Sequence, residues 1–146
     1  MAKSQAGFVK SSESGQILAF FAVAVPVVLL PIAAYTVDAT MVAGREAALQ
    51  AATAQAAETA AQQINTGALR SSGALSLDAV AGGLVVDQTL FGEEPGASLD
   101  LYTVSGAEVT VVTSETVRLP FSVFTDKVVL HAHATARLVA GYESPS

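Results

Sequence analysis

The sequence predicts an α+β protein: one long N-terminal transmembrane helix, a short second helix and a small three-stranded antiparallel sheet. Three observations carry that expectation. They are an uncharged apolar run from Ile17 to Val37, an alanine-rich stretch directly after it, and period-two alternation near the C-terminus. A length of 146 residues leaves room for one domain, or a small domain with an appendage.

The apolar run comes first. Between Ile17 and Val37 the only ionisable group is the phenol of Tyr35. About 20 such residues, rising 1.5 Å each, cross a hydrocarbon core. A cleaved secretory signal has an apolar region of roughly 7–15 residues followed by a small-residue cut site. This run is longer and flows straight into helix-favouring sequence, so it reads as an anchor. Pro26 and Pro31 interrupt it. Each removes one helical hydrogen bond, which membrane helices tolerate, and the pair is expected to bend or loosen the segment.

Charge is sparse and unevenly spread. Charged residues make up 14% of the chain, against about 25% in ordinary soluble domains, and the mean hydropathy is +0.50. Lys3 and Lys10 precede the run against the single acid Glu13, whereas the rest of the chain is strongly acidic and the net charge is −6. A basic head and an acidic body suit a cytoplasmic N-terminus and an extracytoplasmic C-terminal part. An acidic body also argues against nucleic acid as a partner. The absence of cysteine excludes disulfides, thiolate metal sites and a cysteine nucleophile.

Residues 38–64 read as a continuation of the same helix, because alanine, glutamate, glutamine and leucine dominate and proline is absent. Asp38 falls at the expected water boundary, and Asn65 and Gly67 read as the stop. A rod from Ile17 to Ile64 would be about 70 Å long. Its soluble half carries few large apolar residues, so alanine must supply the rest of any buried stripe. That stripe suits close packing against a partner helix or against the chain's own sheet.

Residues 70–73 (RSSG) read as a linker. Leu77, Val80, Ala81, Leu84, Gln88 and Phe91 recur at helical spacing, with Ser76 as candidate N-cap and Asp78 in the first turn. A turn at 92–96 leads to a short strand at 99–104, a turn at Ser105-Gly106 and a second strand at 107–119. There Val109, Val111, Val117 and Leu119 share a face with Glu115, so a bulge or break is expected near that acid. The third strand, 127–140, alternates most clearly, with Val128, Leu130, Ala132, Ala134, Ala136 and Leu138 on the inward face.

Candidate chemistry is thin. His131 and His133 share a strand face, but only acids such as Glu108 or Asp126 stand ready to complete a metal site, and a closed zinc site wants four ligands. No nucleophile elbow or phosphate loop occurs. No catalytic, cofactor-binding or metal site is therefore expected, and the chain does not read as an enzyme.

The segment SGQILAFFAVAVPVVLLPIAAYTVDATMVAGREAALQAATAQAA resembles the N-terminal part of the TadE/TadG-like proteins of Flp (tight-adherence) pilus systems. That family reads as a glycine, an apolar helix of the form F-A-L-V-L-P, a V-D pair, an arginine and an L-Q-x-A-x-x-A-A run. Gly15, the stretch from Phe21 to Pro26, Val37-Asp38, Arg45 and Leu49-Gln50-Ala51-Ala52 fill those places. The match spans roughly residues 14–61, and VRLPFSVF followed by VVLHAHATARL is similar to the family's ending.

The resemblance implies a pilin-like subunit that joins or supports an adhesive filament, whether as a minor pilin or as an assembly protein. It implies candidate prepilin cleavage between Gly15 and Gln16 by an inner-membrane peptidase, and packing or assembly roles for Phe21, Pro26, Asp38, Arg45, Leu49 and Ala52. Phe20 stands where the TadE pattern has a glutamate, which tilts the match toward the TadG-like branch, while the small C-terminal part is nearer to TadE. Four regions are expected: a cytoplasmic leader (1–15), a membrane span (16–37), an alanine-rich helix (38–66) and a small α+β extracytoplasmic domain (67–146). Expected partners are other pilin or Tad assembly proteins, reached through the helix, and the bacterial inner membrane. The alternative function is a membrane-anchored envelope binding protein that never enters a filament.

Overall fold

The computed structural model describes residues 11–122 and 124–138, so the expected leader before Ser11 and the last residues of the expected third strand lie outside the described residues. The chain is α+β. Helix α1 (Ser11–Ala61) is followed by α2 (Thr66–Ser72), α3 (Ala79–Glu93) and strands β1 (Ala97–Ser105), β2 (Glu108–Arg118) and β3 (Lys127–Arg137). The sheet is antiparallel in the order β1-β2-β3. One face is covered by the C-terminal half of α1 and by α3, and the other is open.

Helix α1 has 51 residues and runs unbroken through Pro26 and Pro31, a length of roughly 75 Å. It stops at Ala61, earlier than the composition suggests. Asn65 is not its stop signal. Its side chain accepts from the Ala68 N–H at 2.9 Å and so caps α2. The residues expected as a linker are the end of that helix, closed by Gly73 in the left-handed conformation (φ 66°). The α2 excursion is pinched at its base by an antiparallel bridge between Ile64 and Leu77, where Asn65 N–H donates to Ser76 O and Asp78 N–H to Gln63 O.

That bridge also corrects the start of α3. Ser76 is held in the bridge, and Asp78 is the cap, accepting from the N–H groups of Val80 and Ala81. The inward face differs from the one the large apolar residues mark out. Gly82, Val86 and Leu90 are buried, while Val80, Leu84 and Phe91 are exposed. The reason is close approach. A Cβ at Gly82 would collide with the Tyr102 phenol and meet the Ala60 methyl at 3.6 Å, so the glycine face is the one that can lie down on α1 and β1.

The core is built from small side chains: Ala52, Ala56, Ala57, Ala60 and Ala61 of α1 meet Val86 and Leu90 of α3 and Val109 and Val111 of β2. It therefore joins residues on both sides of the boundary expected at 66/67. Strand β3 alternates as its sequence predicts, with Leu130 and Ala132 buried and His131 and His133 exposed. On β2 the inward face is the expected one, but pairing with β3 is continuous through Glu115. The irregularity lies instead on β1, between Leu99 and Leu101. Inward residues switch there from Ala97 and Leu99 to Tyr102 and Val104, the parity change that one extra residue produces.

Tyr102 carries a testable consequence. Its hydroxyl is buried without a hydrogen-bond partner among the described residues, and burial first, then the negative charge of Asp78, raises its pKa above the ordinary 10.0. The unfolded chain ionises near 10, so this contribution to stability is complete below that pH and is lost as pH rises through the folded-state pKa. Tyr102→Phe is expected to be neutral or stabilising near pH 7, because it removes an unpaired buried hydroxyl, and to flatten the alkaline loss. Unfolding midpoints followed from neutral pH to about pH 12 would check both. A neutral-pH loss above about 1 kcal/mol would mean that the hydroxyl has a partner.

Candidate functional site

The candidate site is the apolar rod with the root that fixes it to the small domain. Every large apolar side chain from Ile17 to Val37 is exposed. The helical span has a hydropathy of 2.7 in its most apolar window, none of it buried, and is long and apolar enough to cross a membrane. Its twelve Leu, Ile, Phe and Val residues favour insertion by on the order of 4–7 kcal/mol before the prolines are counted. In water the same surface would be an apolar patch far larger than monomeric soluble proteins show. Among the described residues only Phe124 of the β2–β3 loop reaches this surface, against Tyr35, so the run is left largely uncovered.

Gly15 and Gln16 lie in the second turn of α1, with open space around Gly15. Phe21 and Pro26 are on the exposed rod, Phe21 in an edge-on contact with Phe20 at 6.0 Å. Asp38, Arg45, Leu49 and Ala52 belong to the root, and there the helix meets the sheet.

Asp38 is buried, not solvated at a water boundary as its position suggests. Its carboxylate accepts from the Phe121 N–H at 3.2 Å, tying the β2–β3 loop to the helix just past the rod. Two turns on, Arg45 holds two acids with one guanidinium: Nη1 lies 2.7 Å from Glu94 Oε1 and Nη2 2.8 Å from Glu115 Oε1. Both carboxylates are nearly inaccessible, and Glu115 Oε2 has no partner among the described residues. Arg45 thus joins α1, the end of α3 and the central strand through charge-assisted bonds. It also explains how an acid sits on the inward face of β2 without a bulge.

Glu94 and Glu115 are the residues that sequence reasoning missed. A signal existed: an acid on an apolar strand face needs a buried cation, and Arg45 is the only basic residue between Lys10 and Arg70.

Leu49 and Ala52, expected at an assembly face, are covered by the chain's own sheet and α3. Of the two readings of the alanine stripe, the structure has the internal one. Beside Leu49, the Thr53 hydroxyl donates to Leu49 O at 2.7 Å and lies 2.6 Å from the Thr113 hydroxyl, which must then be the donor between them. The pair satisfies two buried hydroxyls across the helix–sheet interface.

His131 and His133 lie on the open face of the sheet. His131 Nδ1 is 3.8 Å from Asp100 Oδ2, and the bulged Asp100 also accepts from the Ser114 hydroxyl at 2.9 Å. Neither Glu108 nor Asp126 joins them, and no group of three or more potential metal ligands occurs among the described residues. Comparison of the chain with family models, curated proteins and solved structures gives no match.

Proposed function

We propose that this protein is a structural, membrane-anchored, pilin-like subunit, a minor pilin or assembly protein of a Flp/Tad-type adhesive pilus. The observation that carries the reading is the division of α1 into two halves. One half is an apolar rod left exposed by the described residues, and the other is clamped to a small sheet domain by Asp38, Arg45 and Leu49. A helix built this way holds its apolar half in a bilayer, and can exchange lipid for neighbouring rods without stranding polar groups. The basic residues ahead of the rod support a cytoplasmic N-terminus, with the sheet domain outside.

The second reading, an anchored envelope binding protein, is favoured by one observation. The small-residue face of α1 is used internally, while Val80, Leu84 and Phe91 leave an apolar stripe on the outside of α3. Intact mass and N-terminal sequencing of protein from membranes and from sheared surface material separate the two. A chain starting at Gln16 in the sheared fraction is the expected result for a processed pilin. An intact chain confined to the membrane would overturn the pilin role and leave an unprocessed assembly or anchoring protein. A chain starting beyond Val37 would remove the anchor altogether.

A further inference from the structure

The loop between β2 and β3, residues 119–126, carries two phenylalanines that the described residues leave largely uncovered. Phe121 is 57% exposed and Phe124 is 84% exposed. On a soluble surface these would be isolated oddities; here their position relative to the rod gives them a common neighbour. The Phe124 ring meets Tyr35 edge-on at 5.7 Å, and Tyr35 belongs to the last turn of the uncharged run, about 3 Å short of Val37 along the helix axis. A shallow cavity lined by Pro31, Ile32, Tyr35 and Phe124 carries the same apolar surface one further turn down the rod. The loop therefore points along the span toward its middle, not away from it.

The loop is held in that position. Leu119 N–H donates to Asp126 O at 3.0 Å, the Ser122 hydroxyl to Leu119 O at 3.0 Å, and Phe121 N–H to the buried Asp38. Ser122 takes a φ of 49° to make the turn, a backbone conformation disfavoured outside glycine. At the base of the loop Arg118 and Lys127 are cross-strand partners, both exposed on the open sheet face. Long basic side chains at that height can lay their stems on apolar surface and bring their charges to lipid phosphates. Asp126 is the only acid in the loop.

We infer that this loop is a second membrane contact, which seats Phe121 and Phe124 in the interfacial layer of the leaflet below the sheet domain and so fixes the domain's depth on the rod. The inference rests on the reading that α1 spans a bilayer. Amphipathic and aromatic side chains concentrate at that layer, and Tyr35, Phe121 and Phe124 form an aromatic group at one level of one leaflet. Asp38 then serves as the tether that holds the contact to the helix.

The chain has no tryptophan, so single-tryptophan variants report position cleanly. Phe124→Trp, with Leu30→Trp within the rod and Val80→Trp at the far end of the domain, would be placed in full-length protein in phosphatidylethanolamine–phosphatidylglycerol vesicles. The lipids would carry bromine either near the headgroup end or at the middle of the acyl chain. Phe124→Trp is expected to lose about half its emission to shallow bromines and much less to deep ones, while Val80→Trp is unquenched and Leu30→Trp responds most to deep bromines. If Leu30→Trp behaves as expected but Phe124→Trp is quenched freely by aqueous acrylamide, the inference is overturned and the span stands. A Phe124→Trp shielded from acrylamide yet insensitive to bromine would mean a protein partner covers the loop, and would also overturn it. Bromine-insensitive Leu30→Trp would overturn the span and the inference together. Phe121→Trp repeats the measurement from the other ring, in case the first substitution disturbs the loop.

Discussion

Arg45→Met is expected to destabilise the sheet domain by about 2–4 kcal/mol. Removing one partner of a buried ion pair typically costs 3–5 kcal/mol, and the estimate is lowered because the Arg45 side chain is 43% exposed, whereas those of Glu94 and Glu115 are only 7% and 3% exposed. The cost comes from what is left behind. Two carboxylates that shared one guanidinium at 2.7 and 2.8 Å would be buried together with no cation and with Glu115 Oε2 already unpaired.

Arg45→Lys is expected to restore part of the loss, since a lysine ammonium is a point charge and not a planar fork able to reach two carboxylates at once. The combination of Arg45→Met with Glu94→Gln and Glu115→Leu is expected to lie much closer to the parent than Arg45→Met alone, because it removes the stranded charge along with its partner. The check is hydrogen exchange of β2 and β3 amides in detergent micelles. Far-UV signals would be dominated by the rod, which neither substitution touches. A loss below about 1 kcal/mol for Arg45→Met would mean that water already reaches both acids and that the clamp is no more than a surface pair.

This cluster marks where sequence reading runs out. The alternation of Val128 to Leu138 depends on neighbours two residues apart, and so β3 and its open face, with His131 and His133, could be read directly. The rod could be read because twenty-one consecutive residues tell the same story. Arg45 and Glu94 are 49 positions apart, and no local pattern joins them. Glu115 stands out as an anomaly in the sequence, yet nothing local shows that Arg45 answers its charge, so a bulge or break is expected near the acid where the structure has an ion pair, and the irregularity lies on β1.

Helix α3 failed for a different reason. Hydrophobic periodicity weighs Val80, Leu84 and Phe91 and ignores glycine, yet Gly82 sits on the packing face because nothing larger fits between α1 and Tyr102. Likewise Asn65 and Ser76 carry capping chemistry that suits either side of a helix end. The bridge between Ile64 and Leu77 decides which of them caps. Asp38 reads as a boundary residue since position along the helix can be read from sequence, but the loop residue that bonds it, Phe121, lies 83 positions later.

Leu49→Ala is expected to cost about 3–5 kcal/mol, the largest loss from any single apolar truncation in this fold. Leu49 is fully buried and packs with Val117, Leu130 and Ala132, flanked by Val42, Ala97 and Val128. Leucine-to-alanine changes span roughly 2–5 kcal/mol according to how far the surroundings collapse. Here collapse is restricted. Apart from Leu130, the neighbours are alanines and β-branched valines, short and stiff at χ1, on a strand pair held in continuous register and on a helix pinned one turn away by Arg45. Elsewhere the buried apolar contribution of α1 is alanine, and Val42, the larger α1 side chain beside Leu49, is itself β-branched and already packed against the cluster, so little can swing into the void. The loss is a large share of the 5–15 kcal/mol that typically holds a domain together. The readout that matters is local. Exchange protection on β2 and β3 is expected to fall while helicity of the rod persists, since Leu49 joins the helix to the sheet and has no part in the span. Leu49→Met, which conserves volume, is expected to cost less than about 1.5 kcal/mol. If Leu49→Ala and Leu49→Met were equally mild, the root of α1 would have to slide on the sheet to fill the gap. The packed root would then not fix the rod, and the Arg45 ion pairs and the Asp38 bond to the loop would have to hold it to the domain.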